Sequence, residues 1–140
     1  MCDNLMEELL ATSESRICDF KIKIYNMHDS DNRISFLKDI LSIFNTIRDE
    51  IGYIIVGVKK EDGHVIFQDV DTSIDENDFL TFIKGNIVPE WPVFSYYTYS
   101  YKKHMLGIFE IGISKTGPFY SKRDFGDKVR KDIIAVADDV

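Results

Sequence analysis

Residues Gly52-Tyr53-Ile54-Ile55-Val56-Gly57-Val58 form a run without one charged side chain. A strand with one wet face alternates apolar and polar residues; a run that does not alternate must be covered on both faces, so 52–58 reads as a central strand of a sheet. Just upstream, Ile34, Leu37, Ile40, Leu41, Phe44 and Ile47 recur at three- and four-residue spacing, which predicts a helix with Asp31 or Asn32 placed to cap it. An amphipathic helix beside a two-sided strand predicts that the Leu37, Leu41 and Phe44 face packs on the strand.

The remaining elements are built around this pair. Leu5, Met6, Leu9 and Leu10 predict a short opening helix that stops at Thr12-Ser13. From Arg16 to Tyr25 the period changes to two, with Ile17, Asp19, Lys21 and Lys23 on one face and Cys18, Phe20, Ile22 and Ile24 mostly on the other. Glu61-Asp62-Gly63 supplies a turn after which His64 to Val70 returns as a partner strand. Asp75 opens a third helix through Phe79, Leu80, Phe82 and Ile83, closing near Gly85 and before Pro89. Two more strands, about 93–101 and 105–114, are joined by Lys102-Lys103-His104; 115–131 reads as a loop and 132–137 as a last short strand. Three helices interleaved with hairpins, without a regular βαβ repeat, predict a single α+β domain over 1–140 with a mixed sheet. The ending Asp138-Asp139-Val140 carries no capping element, which leaves room for an N-terminal part of a longer protein with further C-terminal domains.

Composition sets the class. With 44% hydrophobic and 29% charged residues the chain can bury a core, so disorder is excluded as its main state. No apolar run approaches the ~18 residues of a membrane span and the N-terminus has no signal-peptide pattern, so a cytoplasmic protein without membrane partners is expected. Cys2 and Cys18 are too few for a disulfide framework and read as free thiols, Cys18 buried.

Net charge is −7, which alone opposes a polyanionic partner. The distribution changes that. Between Lys102 and Lys131 eight basic residues face three acidic ones, a balance of +5, so the remaining residues carry −12, much of it between Glu61 and Glu90. Such a chain can present one basic face within an acidic whole; solvated lysines flanking strands are the alternative.

Absent motifs remove whole classes: GxxxxGK[ST], GxGxxG and GxSxG are all missing. His28, His64 and His104 lie far apart, show no metal-ligand spacing and read as surface or turn residues. Tyr97, Tyr99 and Tyr101 share one strand face, which is either a base-stacking platform or cover for the sheet. Glu14 and Asp19 bracket the start of a strand whose Asp19 face continues with Lys21 and Lys23. Two close carboxylates can position a divalent cation for in-line attack on a phosphodiester, with the lysines engaging phosphate. The alternative is a surface ion pair of Asp19 with Lys21.

Ser13-Glu14-Ser15-Arg16-Ile17-Cys18-Asp19-Phe20-Lys21, the helix ending Phe44-Asn45-Thr46, and Gly52 to Val58 followed by Asp62-Gly63 together resemble the Schlafen AlbA-like domain family. That family shows an ExxxxEFK opening, a helix ending in an Ala/Phe-Asn-Thr run and a GG-x-L-x-I-G-V strand. The helix from Asp75 before Pro89, the strand 106–114 and Gly117-Pro118-Phe119-Tyr120 continue the resemblance in the same order. It implies a nucleic-acid-binding module, DNA or RNA, in a regulator or defence protein, and in animal Schlafens an RNA endonuclease with three carboxylates. Glu14 and Asp19 fall on the first two carboxylate positions. At the third stand Lys59-Lys60, with Glu61 or Asp62 two residues on. Near the end, Val129-Arg130-Lys131 matches a basic stretch, while Ala137 and Asp139 replace an Arg-x-Gly.

The expected function is therefore phosphate-dominated binding of nucleic acid by Lys21, Lys23, Lys115, Lys122, Arg123, Arg130 and Lys131. The enzymatic alternative is a metal-dependent endoribonuclease in which Glu14, Asp19 and Glu61 or Asp62 hold Mg²⁺ or Mn²⁺. The third is a domain that kept the fold and serves protein interaction or homo-oligomerisation.

Overall fold

The computed structural model describes residues 1–11, 18–45, 50–88, 93–113 and 120–121. Helix α1 (Asp3–Ala11) precedes β1 (Cys18–Lys21), α2 (Ser30–Asn45) and β2 (Gly52–Val56). Then come β3 (Val58–Glu61), β4 (His64–Phe67), α3 (Glu76–Asn86), β5 (Ile87–Val88), β6 (Phe94–Tyr101), β7 (His104–Ile111) and β8 (Tyr120–Ser121). The main sheet has the order β1-β2-β7-β6, with β1 parallel to β2 and the other pairs antiparallel. Parallel neighbours need a crossover, and α2 supplies it.

Strand β2 is central, as its apolarity predicts, and Ile54, Ile55 and Val56 are all fully buried. Ile54 and Val56 face Leu37, Leu41 and Phe44 of α2 and Phe79 and Ile83 of α3. Tyr53 and Ile55 face the opposite cluster, where Met6 of α1 meets Leu106 and Ile108 of β7. Helices thus cover both sides of one mixed sheet, an α+β domain. On the α2 side Phe109 is the aromatic hub, touching the rings of Tyr25, Phe36, Phe79, Phe94 and Tyr96 at centroid distances of 4.6 to 5.9 Å.

Several expected boundaries move, each for a local reason. The cap of α2 is Asp29 rather than Asp31 or Asn32: its carboxylate accepts the Asn32 backbone N–H at 2.9 Å and the Asn32 side-chain N–H at 2.7 Å. These two bonds hold the Asp29 carboxyl below the ordinary carboxylate value. The run 52–58 is not one strand. Gly57 adopts φ +96°, ending β2 at Val56 and redirecting Val58 into a separate ribbon in which β3 pairs with β4. The partner strand from His64 therefore stops at Phe67 instead of Val70. Helix α3 begins as expected, with Asp75 and Asp78 forming a reciprocal capping box. Tyr120–Ser121, placed in a loop by sequence, pairs with Ile87–Val88. The strand expected at 132–137 and the rest of the 115–131 loop lie outside the described residues.

Gly57 is structurally demanding as well as permissive. Its N–H donates to the Lys21 carbonyl at 2.7 Å and its carbonyl accepts from Gln68 at 2.9 Å, while a Cβ at this position would lie 2.6 Å from the Gln68 carbonyl oxygen. Gly57→Ala is expected to destabilise the domain by about 2–3 kcal/mol, through left-handed strain and the clash. A urea midpoint unchanged from the parent's would refute this.

Candidate nucleic-acid interface

At the edge of the main sheet, Asp19 and Lys21 project from the same side of β1, two residues apart. The Lys21 Nζ lies 3.4 Å from Asp19 Oδ2 and 3.4 Å from Asp39 Oδ2, the second carboxylate coming from α2. Asp39 in turn accepts a 2.5 Å hydrogen bond from the Tyr25 hydroxyl, which is almost entirely buried. Asp19 also accepts the Phe20 backbone N–H at 2.9 Å. Burial pulls the Lys21 ammonium down, but Asp39 and then Asp19 outweigh it and hold Lys21 above the ordinary lysine value. Burial dominates at Asp39 and raises its carboxyl, against the Tyr25 hydrogen bond and the Lys21 charge. The directions are compatible because Asp39 is the more buried partner and shares Lys21 with Asp19.

This arrangement matches the ion-pair alternative for Asp19 and adds two members, Asp39 and Tyr25, that strand periodicity does not reveal. Glu14 lies outside the described residues. Glu61 is held to Lys59 at 3.4 Å, and Asp62 sits exposed at the ribbon's turn. Among the described residues no three His, Cys, Asp or Glu side chains form a group able to hold a metal ion. Asp19, Asp39 and Glu61 each lie against an ammonium group.

Lys23 is exposed in the segment after β1. Lys115, Lys122, Arg123, Arg130 and Lys131 lie outside the described residues. Further basic residues stand at the end of the sheet where β2 leaves and β6 turns into β7: Lys59 and Lys60 on β3, and Lys102 and Lys103 in the β6–β7 turn. Lys60 lies over the Phe20 ring at 5.4 Å and Lys102 over the Tyr101 ring at 5.3 Å. Lys102 and Lys103 open the basic excess of 102–131, whereas Lys59 and Lys60 lie outside it.

The tyrosine face is cover for the sheet. Tyr101 is buried in the α1-side cluster and Tyr97 and Tyr99 pack against it. The Tyr97 hydroxyl donates to Glu110 at 2.7 Å and the Tyr99 hydroxyl to Asp3. His28 and His64 are exposed, and half-buried His104 lies 3.2 Å from Asp69. Neither cysteine is in a disulfide; Cys2 is exposed and Cys18 buried. Beside the start of α3 a groove of about 710 Å³ is lined by Asp71 and Asp78 with Ile24, Met27 and Ile74. Its acidity sets it apart from the lysine-bearing end. No described helix is long and apolar enough to cross a membrane.

No curated protein sequence matches the chain. Its fold is similar to the solution structure of the N-terminal domain of an ATP-dependent DNA helicase RecG-related protein from Nitrosomonas europaea. The TM-score is 0.61 at 18% identity, covering 92% of this chain and 86% of that one. The family model for Schlafen, AlbA_2 matches residues 14–135, a range that takes in every described strand and helices α2 and α3 but not α1, and the chain belongs to that family.

Proposed function

We propose that this domain binds nucleic acid through backbone phosphates, with little sequence preference, and that binding rather than strand cleavage is its role. Family membership and a neighbour named for a DNA helicase-related protein support association with nucleic acid. The observation that favours binding over cutting is the position of the Lys21 ammonium between Asp19 and Asp39, where a metal-dependent nuclease needs open carboxylate oxygens. Lys21 is occupied by those carboxylates, so the phosphate contacts fall to Lys23 and to Lys115, Lys122, Arg123, Arg130 and Lys131. The lysines suit this task as point charges, and Arg123 and Arg130 can add bidentate phosphate contacts.

A salt titration tests the proposal. Labelled single- and double-stranded DNA and RNA are expected to bind at low salt, with log K falling linearly in log salt by about 0.7–0.9 per neutralised phosphate. Charge reversal at Lys122 and Arg123 should weaken binding and flatten that slope by about one unit for each phosphate no longer neutralised. Structured RNA with Mg²⁺ or Mn²⁺ is expected to remain uncut by the parent. Metal-dependent cutting abolished by both Glu14→Gln and Asp19→Asn would replace this reading with an endoribonuclease.

A further inference from the structure

Two hairpins with two-residue turns leave the same end of the main sheet, and they obey different chemistry. The β3–β4 turn is Asp62-Gly63, with φ of 49° and 77°. Positive φ at both positions is the geometry that favours Asp-Gly and Asn-Gly, because a side chain there crowds its own backbone. The β6–β7 turn sits between paired Tyr101 and His104 and has the same signs of φ, 48° and 66°, yet its residues are Lys102 and Lys103. Neither lysine has the short polar side chain that relieves a left-handed residue. The chain therefore contains the favoured solution and, beside it, a strained one.

Strain held at an exposed turn points to the side chains that cause it. Here these are two adjacent ammonium groups. The turn is firmly mounted, since it closes the longest antiparallel pair of the sheet, and Lys102 is steadied over the Tyr101 ring. Phe67, at the base of the neighbouring ribbon, stacks on His104 at 4.8 Å and 18° and meets Tyr101 at 6.0 Å. The acids at this end are already engaged or displaced: Glu61 lies against Lys59, Asp69 against His104, and Asp62 occupies the ribbon's turn.

We propose that the Lys102-Lys103 turn is a phosphate-binding tip whose strained backbone is retained because it presents two lysines to the backbone of a nucleic acid. This rests on the nucleic-acid reading above and deepens it by adding a phosphate contact to those named there. Phosphodiester is the shared chemistry, and DNA and RNA are the sources it can come from.

The test exploits the strain. In K102N/K103G the turn receives residues suited to its geometry and loses both charges. This variant is expected to melt about 2–8 °C above the parent, the shift that relief of a strained turn brings in a domain of this size. It is also expected to bind labelled DNA or RNA about tenfold more weakly at low salt, with the salt slope reduced by about 1.4–1.8 units for two phosphates left unneutralised. K102R/K103R should bind like the parent. Single- and double-stranded DNA and RNA, run in parallel, identify the polymer. A parent that binds while K102N/K103G binds equally well with the same slope overturns the tip and leaves the nucleic-acid reading standing. A parent that binds none of the four polymers at low salt overturns both. A K102N/K103G that melts below the parent overturns the strain that motivates the proposal.

Discussion

Phe109→Ala is expected to cost about 3–5 kcal/mol, the usual range for a buried aromatic cut to alanine, and so to remove much of the ~5–15 kcal/mol of a typical domain. The residue is fully buried, and its ring is the meeting point of α2, α3, β6 and the segment after β1. Its neighbours Phe36 and Phe79 are themselves fully buried large rings with little freedom to collapse into the gap. Urea unfolding followed by circular dichroism measures the loss. Phe109→Leu, which keeps most of the volume, should recover a large part of it. A Phe109→Ala protein with the parent's midpoint would mean that this cluster does not hold the sheet to its helices.

The second large effect is alkaline unfolding driven by the Tyr25, Asp39 and Lys21 network. Burial first, then the Asp39 charge and hydrogen bond, push the Tyr25 phenol well above its ordinary value of 10.0. Lys21 is raised from 10.5. Tyr96 is pushed up to about 12 by burial and by Asp71, and Tyr99 to about 12 by its hydrogen bond to Asp3. In each case the folded state holds its proton more tightly than the unfolded chain. The stability this contributes is complete below pH 10 and is lost as pH rises through the folded values. The domain is therefore expected to unfold cooperatively above pH 10, with tyrosinate absorbance and loss of circular dichroism rising together. Separate transitions would show that the phenols ionise without unfolding. Asp39→Ala should cost about 1–3 kcal/mol at neutral pH, because it strands the buried Tyr25 hydroxyl without its acceptor. Removing the Asp39 charge works in the other direction. The raised Asp39 carboxyl makes stability fall as pH rises from 3.8 through its folded value, so relieving that charge offsets part of the loss.

What was legible in the chain follows from which forces are local. The burial of 54–56, the apolar face of α2, the start of α3 at Asp75 and the β6–β7 pair all follow from periodicity or short-range hydrogen bonding, and all are present. The break at Gly57 was invisible to periodicity. Both halves of the run are buried, so apolar pattern says nothing of the φ that separates them. The shift of the α2 cap to Asp29 reflects three eligible residues close together, Asp29, Asp31 and Asn32, among which only backbone geometry chooses. At the candidate site the Asp19–Lys21 pairing could be read from period two. Asp39 and Tyr25 could not, because they reach the cluster through the packing of α2 and the segment after β1.

Strand β6 forms one outer edge of the main sheet, and its Tyr96 N–H, which points away from β7, is accepted by the Glu76 carboxylate of α3 at 3.1 Å. A strand from a second molecule seeking to add there would have to displace that carboxylate and leave its charge beside the new ladder. Protein chains commonly guard long edges with a charge or a covering helix, and α3 brings both at once. Self-association by extending the sheet at β6 is thereby disfavoured, and an assembly of these domains is steered towards side-chain contacts on its other surfaces.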